Sequence, residues 1–213
     1  MADFSNKTGT PLPSSPVTGK EGSSAGTFDR RAVLGTLTLI ESVALTCAFL
    51  LGALLGHHWW NSLVPTSGGL IAIPCGLLTT LASVGLLRIA SRTVDPHDVV
   101  STVLRPLATA LEPRDLLFLA VSSGVAEEVL FRGVLQPALG LWLSSIIFGL
   151  LHTGHRDLLA MGVWAGVMSL VLGALLIATG TLWAPILCHA THNLATLLYL
   201  RQDTPHKPNR TQH

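Results

Sequence analysis

Long runs of apolar residues constrain this chain more than any other feature, because each run is long enough to cross a lipid bilayer as a helix. The run from Ala32 to Gly56 contains Glu41 as its only charged residue, and at about 1.5 Å per residue it exceeds the roughly 30 Å of a hydrocarbon core. Only 12% of the residues are charged, about half the share expected in a soluble domain. We therefore expect an all-α fold: a polytopic membrane bundle of about six transmembrane helices.

The predicted spans divide the chain into five parts. Polar tails rich in small residues and proline flank the apolar region at both ends and are expected to be disordered. A connector between the second and third spans is too polar to cross the membrane and is expected at its surface. The parts are residues 1–31 (tail), 32–92 (two additional spans), 93–114 (connector), 115–200 (four-helix core) and 201–213 (tail). The spans are Ala32–Gly56, Gly69–Ala90, Asp115–Gln136, Leu139–His152, Leu158–Ala178 and Leu182–Leu200.

The basic residues are distributed over alternate loops. They precede the first span, lie around the loop between the second and third, include Arg156 between the fourth and fifth, and follow the sixth. Because Lys and Arg favour cytoplasmic loops, both termini are predicted to be cytoplasmic. We expect a multi-pass protein of the cell (plasma) membrane. The net charge of +1 gives no indication of nucleic-acid binding. The apolar spans indicate that the lipid bilayer surrounds the protein.

Three ionisable residues lie deep inside the third span, which is predicted to end at Pro137. Such residues are costly in lipid and indicate a functional site by default. Glu128 and Arg132 are four residues apart, in the order that favours an ion pair on one helix face, so they are expected to support the structure. Glu127 points about 100° away from Glu128. It is therefore the candidate general base, although a purely structural role is the alternative.

Two later spans carry imidazoles and an amide. His152 ends the fourth span, where an interfacial role is as reasonable as a catalytic one. His189 and Asn193 are four residues apart in the sixth span and share a helix face. His192 lies close to that face, so either His189 or His192 could be the catalytic histidine. Glu41, in the first span, is expected to have a structural or interfacial role.

These residues fall into motifs that resemble one family. Glu127-Glu-Val-Leu-Phe-Arg132 resembles the Glu-Glu-x-x-x-Arg motif of the CPBP family, the CAAX proteases and bacteriocin-processing enzymes. Phe148-Gly-Leu-Leu-His152 is similar to its Phe-x-x-x-His motif, and His189-Ala-Thr-His-Asn193 to its His-x-x-x-Asn motif. Each motif alone is weak, but three in the right order on separate spans are specific. The resemblance covers roughly Asp115–Leu200.

The resemblance implies an intramembrane endopeptidase that acts on a membrane protein or peptide. Glu127 would activate the attacking water with help from His152, and Glu128 and Arg132 would hold the geometry. His189 and Asn193 would stabilise the oxyanion. Alternatively, Glu127, His152 and His189 would bind zinc, and the metal-free glutamate mechanism and the zinc mechanism are equally plausible from sequence.

Other classes of protein are less consistent with the sequence. It contains no His-Glu-x-x-His zinc motif, no Gly-x-Ser-Gly motif and no Gly-x-Gly-Asp motif, which other intramembrane proteases use. A non-catalytic membrane scaffold or regulator built on the same core remains the alternative. A proton-coupled transporter is a weaker one, since no internal repeat is evident. The sequence leaves the substrate and the oligomeric state open.

Overall fold

The computed structural model describes residues 29–64, 69–93, 104–153 and 159–202, and this part of the chain contains helices and turns but no strand. Both predicted disordered tails lie almost wholly outside these residues, as do residues 94–103 of the predicted connector. The helices are α1 (Arg30–Leu55), α2 (Gly69–Thr93), α3 (Arg105–Ala110), α4 (Pro113–Leu130), α5 (Gln136–Thr153), α6 (Leu159–Thr179) and α7 (Trp183–Gln202). A 3₁₀ turn covers Trp59–Leu63, and a π-helical turn covers Phe131–Leu135.

Three of the described helical segments are long and apolar enough to cross a membrane. They are Arg30–Leu55, the 41-residue segment Pro113–Thr153, and Leu159–Thr179. The apolar stretch of α2, Ile71–Leu86, is shorter. The described part of the chain is therefore all-α, as expected of an integral membrane protein.

The 41-residue segment Pro113–Thr153 would extend about 60 Å if it were straight, roughly twice the thickness of a hydrocarbon core. It breaks at Gly140, whose φ of 81° and ψ of 166° are not helical. The backbone turns there because glycine has no Cβ to oppose a positive φ. From the sequence, the third span was predicted to end at Pro137, three residues earlier. The π-helical turn just before Pro137 widens the helix, which relieves the clash of the proline ring with the preceding turn and lets the helix continue.

Helices α1 and α4 lie side by side and run parallel. At their N-terminal ends, Nε and Nη2 of Arg30 each donate to a carboxylate oxygen of Asp115 at 2.8 Å. Further along both helices, Ala48 packs in one buried cluster with Val129. The contacts advance in the same direction along the two helices, so the first span is held against the helix that carries the glutamates.

Helices α4 and α7 run antiparallel and approach closely. Ser123 of α4 contacts Asn193 of α7, and the next residue on α4, Gly124, meets Ala190. A Cβ at Gly124 would lie 3.0 Å from both the backbone nitrogen and the Cβ of Ala190. Glycine therefore allows the two helices to bring their polar side chains within reach of each other.

On its other side, α7 packs against α2 through hydroxyl groups. The hydroxyls of Thr80 and Thr191 are 2.7 Å apart, and Oγ of Ser83 lies 2.9 Å from Nδ1 of His192. At the end of the bundle where α7 begins, the backbone nitrogen of Leu182 donates to the carbonyl of Ser62 at 3.0 Å. These contacts fix the rotation of α7 about its axis and so determine which of its side chains face α4.

Candidate active site

A fully buried network of charged groups lies between α4, α6 and α7. Nε of Arg132 is 3.0 Å from Oε2 of Glu128, as an ion pair that is not aligned as a hydrogen bond. Nη2 of Arg132 donates to the carbonyl of Ser169 at 2.9 Å and to its hydroxyl at 3.1 Å. Nδ1 of His189 lies 2.7 Å from Oε1 of Glu128. Glu128 thus joins the arginine to the histidine, and the pairing offsets the cost of burying both charges.

Glu127, the neighbouring residue, points toward two imidazoles. Its Oε2 lies 3.8 Å from Nε2 of His152 and 3.9 Å from Nε2 of His189. Oε2 is buried and accepts no hydrogen bond from the described residues. Distances of this size are longer than direct hydrogen bonds, so a small reacting group could contact the carboxylate and both rings at once.

Each imidazole is oriented by a contact at its other nitrogen. Nδ1 of His152 lies 2.8 Å from the carbonyl of Phe148, which can only accept, so this nitrogen carries a proton. The His152 ring also stacks on the Phe148 ring with centroids 4.4 Å apart. In His189, Nδ1 donates to Glu128 in the same manner. Both rings therefore present Nε2 to Glu127, and these partners set the tautomers.

Asn193 lies one helical turn from His189, on the same face of α7. Its Nδ2 donates to Oγ of Ser123 at 3.1 Å, and Ser123 lies one turn before Glu127 on α4. The structure therefore brings Glu127, His152 and His189 together and places Asn193 beside them, with its amide engaged by Ser123. Ser123 was not identified from the sequence. Its signal is a small polar residue four positions before a buried glutamate.

His192 faces away from this group. Its Nδ1 contacts Ser83 of α2 at 2.9 Å, and its ring lies 6.1 Å from that of Trp164 of α6. The sequence left His189 and His192 as alternatives for the catalytic histidine, and His189 is the one that contacts the glutamates. Ser169, which binds Arg132, is the other site residue that the sequence did not identify.

Access to the group is from the His152 side. The side chain of His152 is 33% exposed and that of Glu127 21%, whereas that of His189 is 10% exposed. A substrate bond would thus approach past the C-terminal end of α5, with His189 at the back of the site.

The three residues that the zinc alternative requires, Glu127, His152 and His189, do not form a closed ligand set in the described part of the chain. Tetrahedral zinc with bonds of about 2.0–2.2 Å holds its ligand atoms about 3.3–3.6 Å apart, and Oε2 of Glu127 lies 3.8 and 3.9 Å from the two Nε2 atoms. In the described part of the chain, no three His, Cys, Asp or Glu side chains form a group that could hold a metal ion. The reaction below is therefore derived without a metal.

Comparisons with known proteins agree with the position of the site. Residues 110–195 match the family model described as type II CAAX prenyl endopeptidase Rce1-like. The uncharacterised protein YpbD of Bacillus subtilis (strain 168) is 38% identical over 74 residues, which are 35% of this chain and 39% of that protein. No solved structure matches the chain. The residues matched by the family model include all seven defined residues of the three motifs, whereas α1 and α2 lie outside them.

Proposed function

We propose, on the premise that residues 110–195 belong to the Rce1-like family of type II CAAX prenyl endopeptidases, that this chain is an intramembrane endopeptidase. It hydrolyses peptide bonds of a membrane-associated protein or peptide. The observation that carries the proposal is the position of Oε2 of Glu127, 3.8 Å from Nε2 of His152 and 3.9 Å from Nε2 of His189. A carboxylate and two oriented imidazoles that converge on one point can supply the proton transfers and the charge stabilisation of peptide hydrolysis.

Glu127 acts as the general base and then as the general acid. It takes one proton from a water molecule as the water oxygen bonds to the scissile carbonyl carbon, and the carbonyl electron pair moves to the carbonyl oxygen. When that pair returns, the carbon–nitrogen bond breaks, and Glu127 delivers its proton to the leaving nitrogen. His152 assists by orienting the water. Atoms and charge balance with no co-reactant other than water.

His189 and Asn193 stabilise the negative charge that develops on the carbonyl oxygen. His189 can do this as the imidazolium, which carries a proton on both ring nitrogens: Nδ1 donates to Glu128 at 2.7 Å, and Nε2 donates to the carbonyl oxygen. Asn193 offers an amide donor one turn away on the same helix face. A positioned donor of this kind contributes about 10²–10³ in rate.

The proposed topology has six spans with both termini in the cytoplasm. The break at Gly140 divides the 41-residue helical segment into two crossings, and α2 and α7 complete the count. Labelling with a membrane-impermeant maleimide tests this after Cys47, Cys75 and Cys188 are replaced by alanine. In intact cells Asn61→Cys should react from outside and Gln202→Cys should not, and the reverse pattern would refute the orientation. Fractionation of the cells tests the assignment to the plasma membrane.

The geometry of the site supports hydrolysis better than it supports a scaffold or a transporter. A scaffold has no need for two imidazoles oriented toward one carboxylate, and a proton-coupled transporter would require substrate flux through the bundle. The family description makes a membrane-bound peptide with a farnesylated CAAX end the natural first probe, although the substrate class proposed is wider.

The experiment uses the full chain in liposomes with an internally quenched, farnesylated CAAX peptide. In parallel, new peptide termini are compared by mass spectrometry between membranes of cells carrying the wild type and cells carrying Glu127→Gln. The wild type should produce termini that are missing with Glu127→Gln. Glu112→Gln makes the same chemical change at a half-exposed position outside the site and should retain cleavage. If Glu127→Gln produces the same termini as the wild type, the hydrolytic assignment fails.

A further inference from the structure

Small and polar residues of α2 contact the face of α7 that is turned away from α4. A Cβ at Gly76 would lie 3.0 Å from a backbone carbonyl of α7, so the two helices touch there. One turn further along α2, the hydroxyl of Thr80 lies 3.2 Å from the carbonyl of Cys188. Ser83 then contacts His192. The contacts advance in the same direction along both helices, so α2 runs parallel to α7 and supports it from behind the active site.

The hydroxyl groups of this contact bind across the two helices. The side-chain oxygens of Thr80 and Thr191 are 2.7 Å apart, a distance at which one hydroxyl donates to the other. Oγ of Ser83 donates to the carbonyl of Thr80 at 2.9 Å, so its lone pairs can accept from Nδ1 of His192, 2.9 Å away. Because Thr80, Ser83 and His192 are all buried, bulk water does not compete for these bonds.

The contact between Ser83 and His192 bears on which histidine of α7 faces the glutamates. His192 follows His189 by three residues, which places it about 60° around the helix and about 4.5 Å along it. A rotation of α7 by about that angle would turn His189 away from Glu128 and His192 toward it. Ser83 opposes this rotation because it holds the imidazole of His192 against α2.

Small rotations of α7 matter to the active site. An α-helix with its side chains is about 10–12 Å across, so a rotation of about 10° moves the end of a side chain by about 1 Å. Nδ1 of His189 and Oε1 of Glu128 are 2.7 Å apart, and an increase of about 1 Å would break this hydrogen bond. A displacement of that size can lower a catalytic rate by about 10².

We propose that Thr80 and Ser83 of α2 are positioning residues of the active site, which hold α7 at the rotation where Nε2 of His189 faces Glu127. This inference rests on the proposed function. Helix α2 lies outside the residues that the family model matches, so the motifs of the family do not include these two hydroxyls. The helix α7 is held from both sides: α4 provides the partners of His189 and Asn193, and α2 sets the angle at which these side chains meet them.

The first test compares isosteric substitutions in the full chain, with the quenched CAAX peptide in liposomes. Thr80→Val removes the hydroxyl and keeps the shape of the side chain, so kcat should fall about tenfold with little change in KM, and Ser83→Ala should have a similar effect. Thr80→Ser retains the hydroxyl and should retain the rate. Wild-type kcat in both Thr80→Val and Ser83→Ala would overturn the inference.

Thr79→Val is the matched control for Thr80→Val. It makes the same chemical change one residue earlier on α2, where the hydroxyl donates to the carbonyl of Cys75 in the same helix. Its kcat should equal that of the wild type. An equal loss in Thr79→Val and Thr80→Val would show that the bonds to α7 are not the cause, and would likewise overturn the inference.

The second test observes His189 directly and needs no cleavage. In protein labelled with ¹⁵N-histidine in lipid nanodiscs, the Nδ1 proton bonded to Glu128 should give a downfield resonance, which is assigned by its loss in His189→Gln. Thr80→Val and Ser83→Ala should move this resonance upfield or broaden it, because α7 gains freedom to rotate. An unchanged resonance in both variants would contradict the positioning role. Ser83→Ala is the smaller change and provides the test if Thr80→Val does not fold.

These outcomes are distinct from a failure of the proposed function. If Glu127→Gln cleaves the peptide as the wild type does, the proposed function is wrong, whatever the His189 resonance shows. If Glu127→Gln is inactive while Thr80→Val and Ser83→Ala cleave with wild-type kcat, the proposed function stands and the positioning role of α2 is wrong.

Discussion

His189 donates from Nδ1 to Oε1 of Glu128 at 2.7 Å, and this contact turns the opposite nitrogen of the ring toward Glu127. In the proposed mechanism, the two adjacent glutamates therefore have different roles. Glu128 is fully buried, pairs with Arg132 and orients the imidazole, whereas Glu127 is partly exposed and free to react. This division explains why two acidic residues follow one another in the middle of a membrane helix despite the cost of each.

Removing the charge of Glu128 should destabilise the fold. Glu128→Gln leaves the guanidinium of Arg132 buried without its counterion, so the free energy of unfolding should fall by about 3–5 kcal/mol. Thermal unfolding in detergent measures the loss. The double variant Glu128→Leu/Arg132→Met removes both charges together and should be more stable than Glu128→Gln. A double variant less stable than Glu128→Gln would show that the unpaired guanidinium is not the cause of the loss.

Ser123 should contribute to the rate through Asn193. Ser123→Ala removes the hydroxyl that accepts from the Asn193 amide at 3.1 Å, so the amide loses its orientation. We expect kcat to fall by about tenfold with little change in KM, and Asn193→Ala to cost about 10²–10³. Steady-state kinetics with the quenched peptide separate the two constants. A change confined to KM in Ser123→Ala would contradict a role in the reaction.

The close contact between α4 and α7 should tolerate no large side chain at Gly124. A Cβ there would already lie 3.0 Å from Ala190, so Gly124→Val should push the helices apart and abolish cleavage. Gly85→Ala is the matched control, because no atom lies within 4 Å of a Cβ built at Gly85. Helix propensity should make that variant more stable by up to about 1 kcal/mol. Full activity in Gly124→Val would show that the helix spacing is not required.

Cleavage should not depend on zinc. The distances around Glu127 exceed those of a zinc ligand set, so dialysis against 1,10-phenanthroline should leave the rate unchanged, and the protein should contain far less than one zinc per chain by inductively coupled plasma mass spectrometry. Loss of activity that added zinc restores would contradict the metal-free mechanism. It would favour binding by Glu127, His152 and His189.

The membrane-helix class and the resemblance to the family were accessible from the sequence because both rest on local patterns. Apolar length predicts a span, and the family comparison confirms the resemblance over residues 110–195. Helical periodicity likewise places His189 and Asn193 on one face. It does not tell which helix lies opposite that face, so the bond from His189 to Glu128 and the contact of Asn193 with Ser123 appear only in three dimensions.

The turn between the third and fourth predicted spans shows the limit of local rules. Proline normally ends a helix, and Pro137 was the obvious boundary. The π-helical turn before it removes the steric conflict, and the break moves to Gly140. Likewise, nothing in the sequence shows that α1 runs parallel to α4, which places Glu41 at a depth similar to that of Glu127.

The most direct test of the central claim follows oxygen during hydrolysis in ¹⁸O-labelled water. If Glu127 activates water, the new C-terminal carboxyl group of the product gains one ¹⁸O atom, the carboxyl group of Glu127 gains none over many turnovers, and Glu127→Gln forms no labelled product. Mass spectrometry of the product and of the Glu127 peptide measures both. Label in Glu127 would show attack by the carboxylate itself, and labelled product from Glu127→Gln at the wild-type rate would show that Glu127 is not the base.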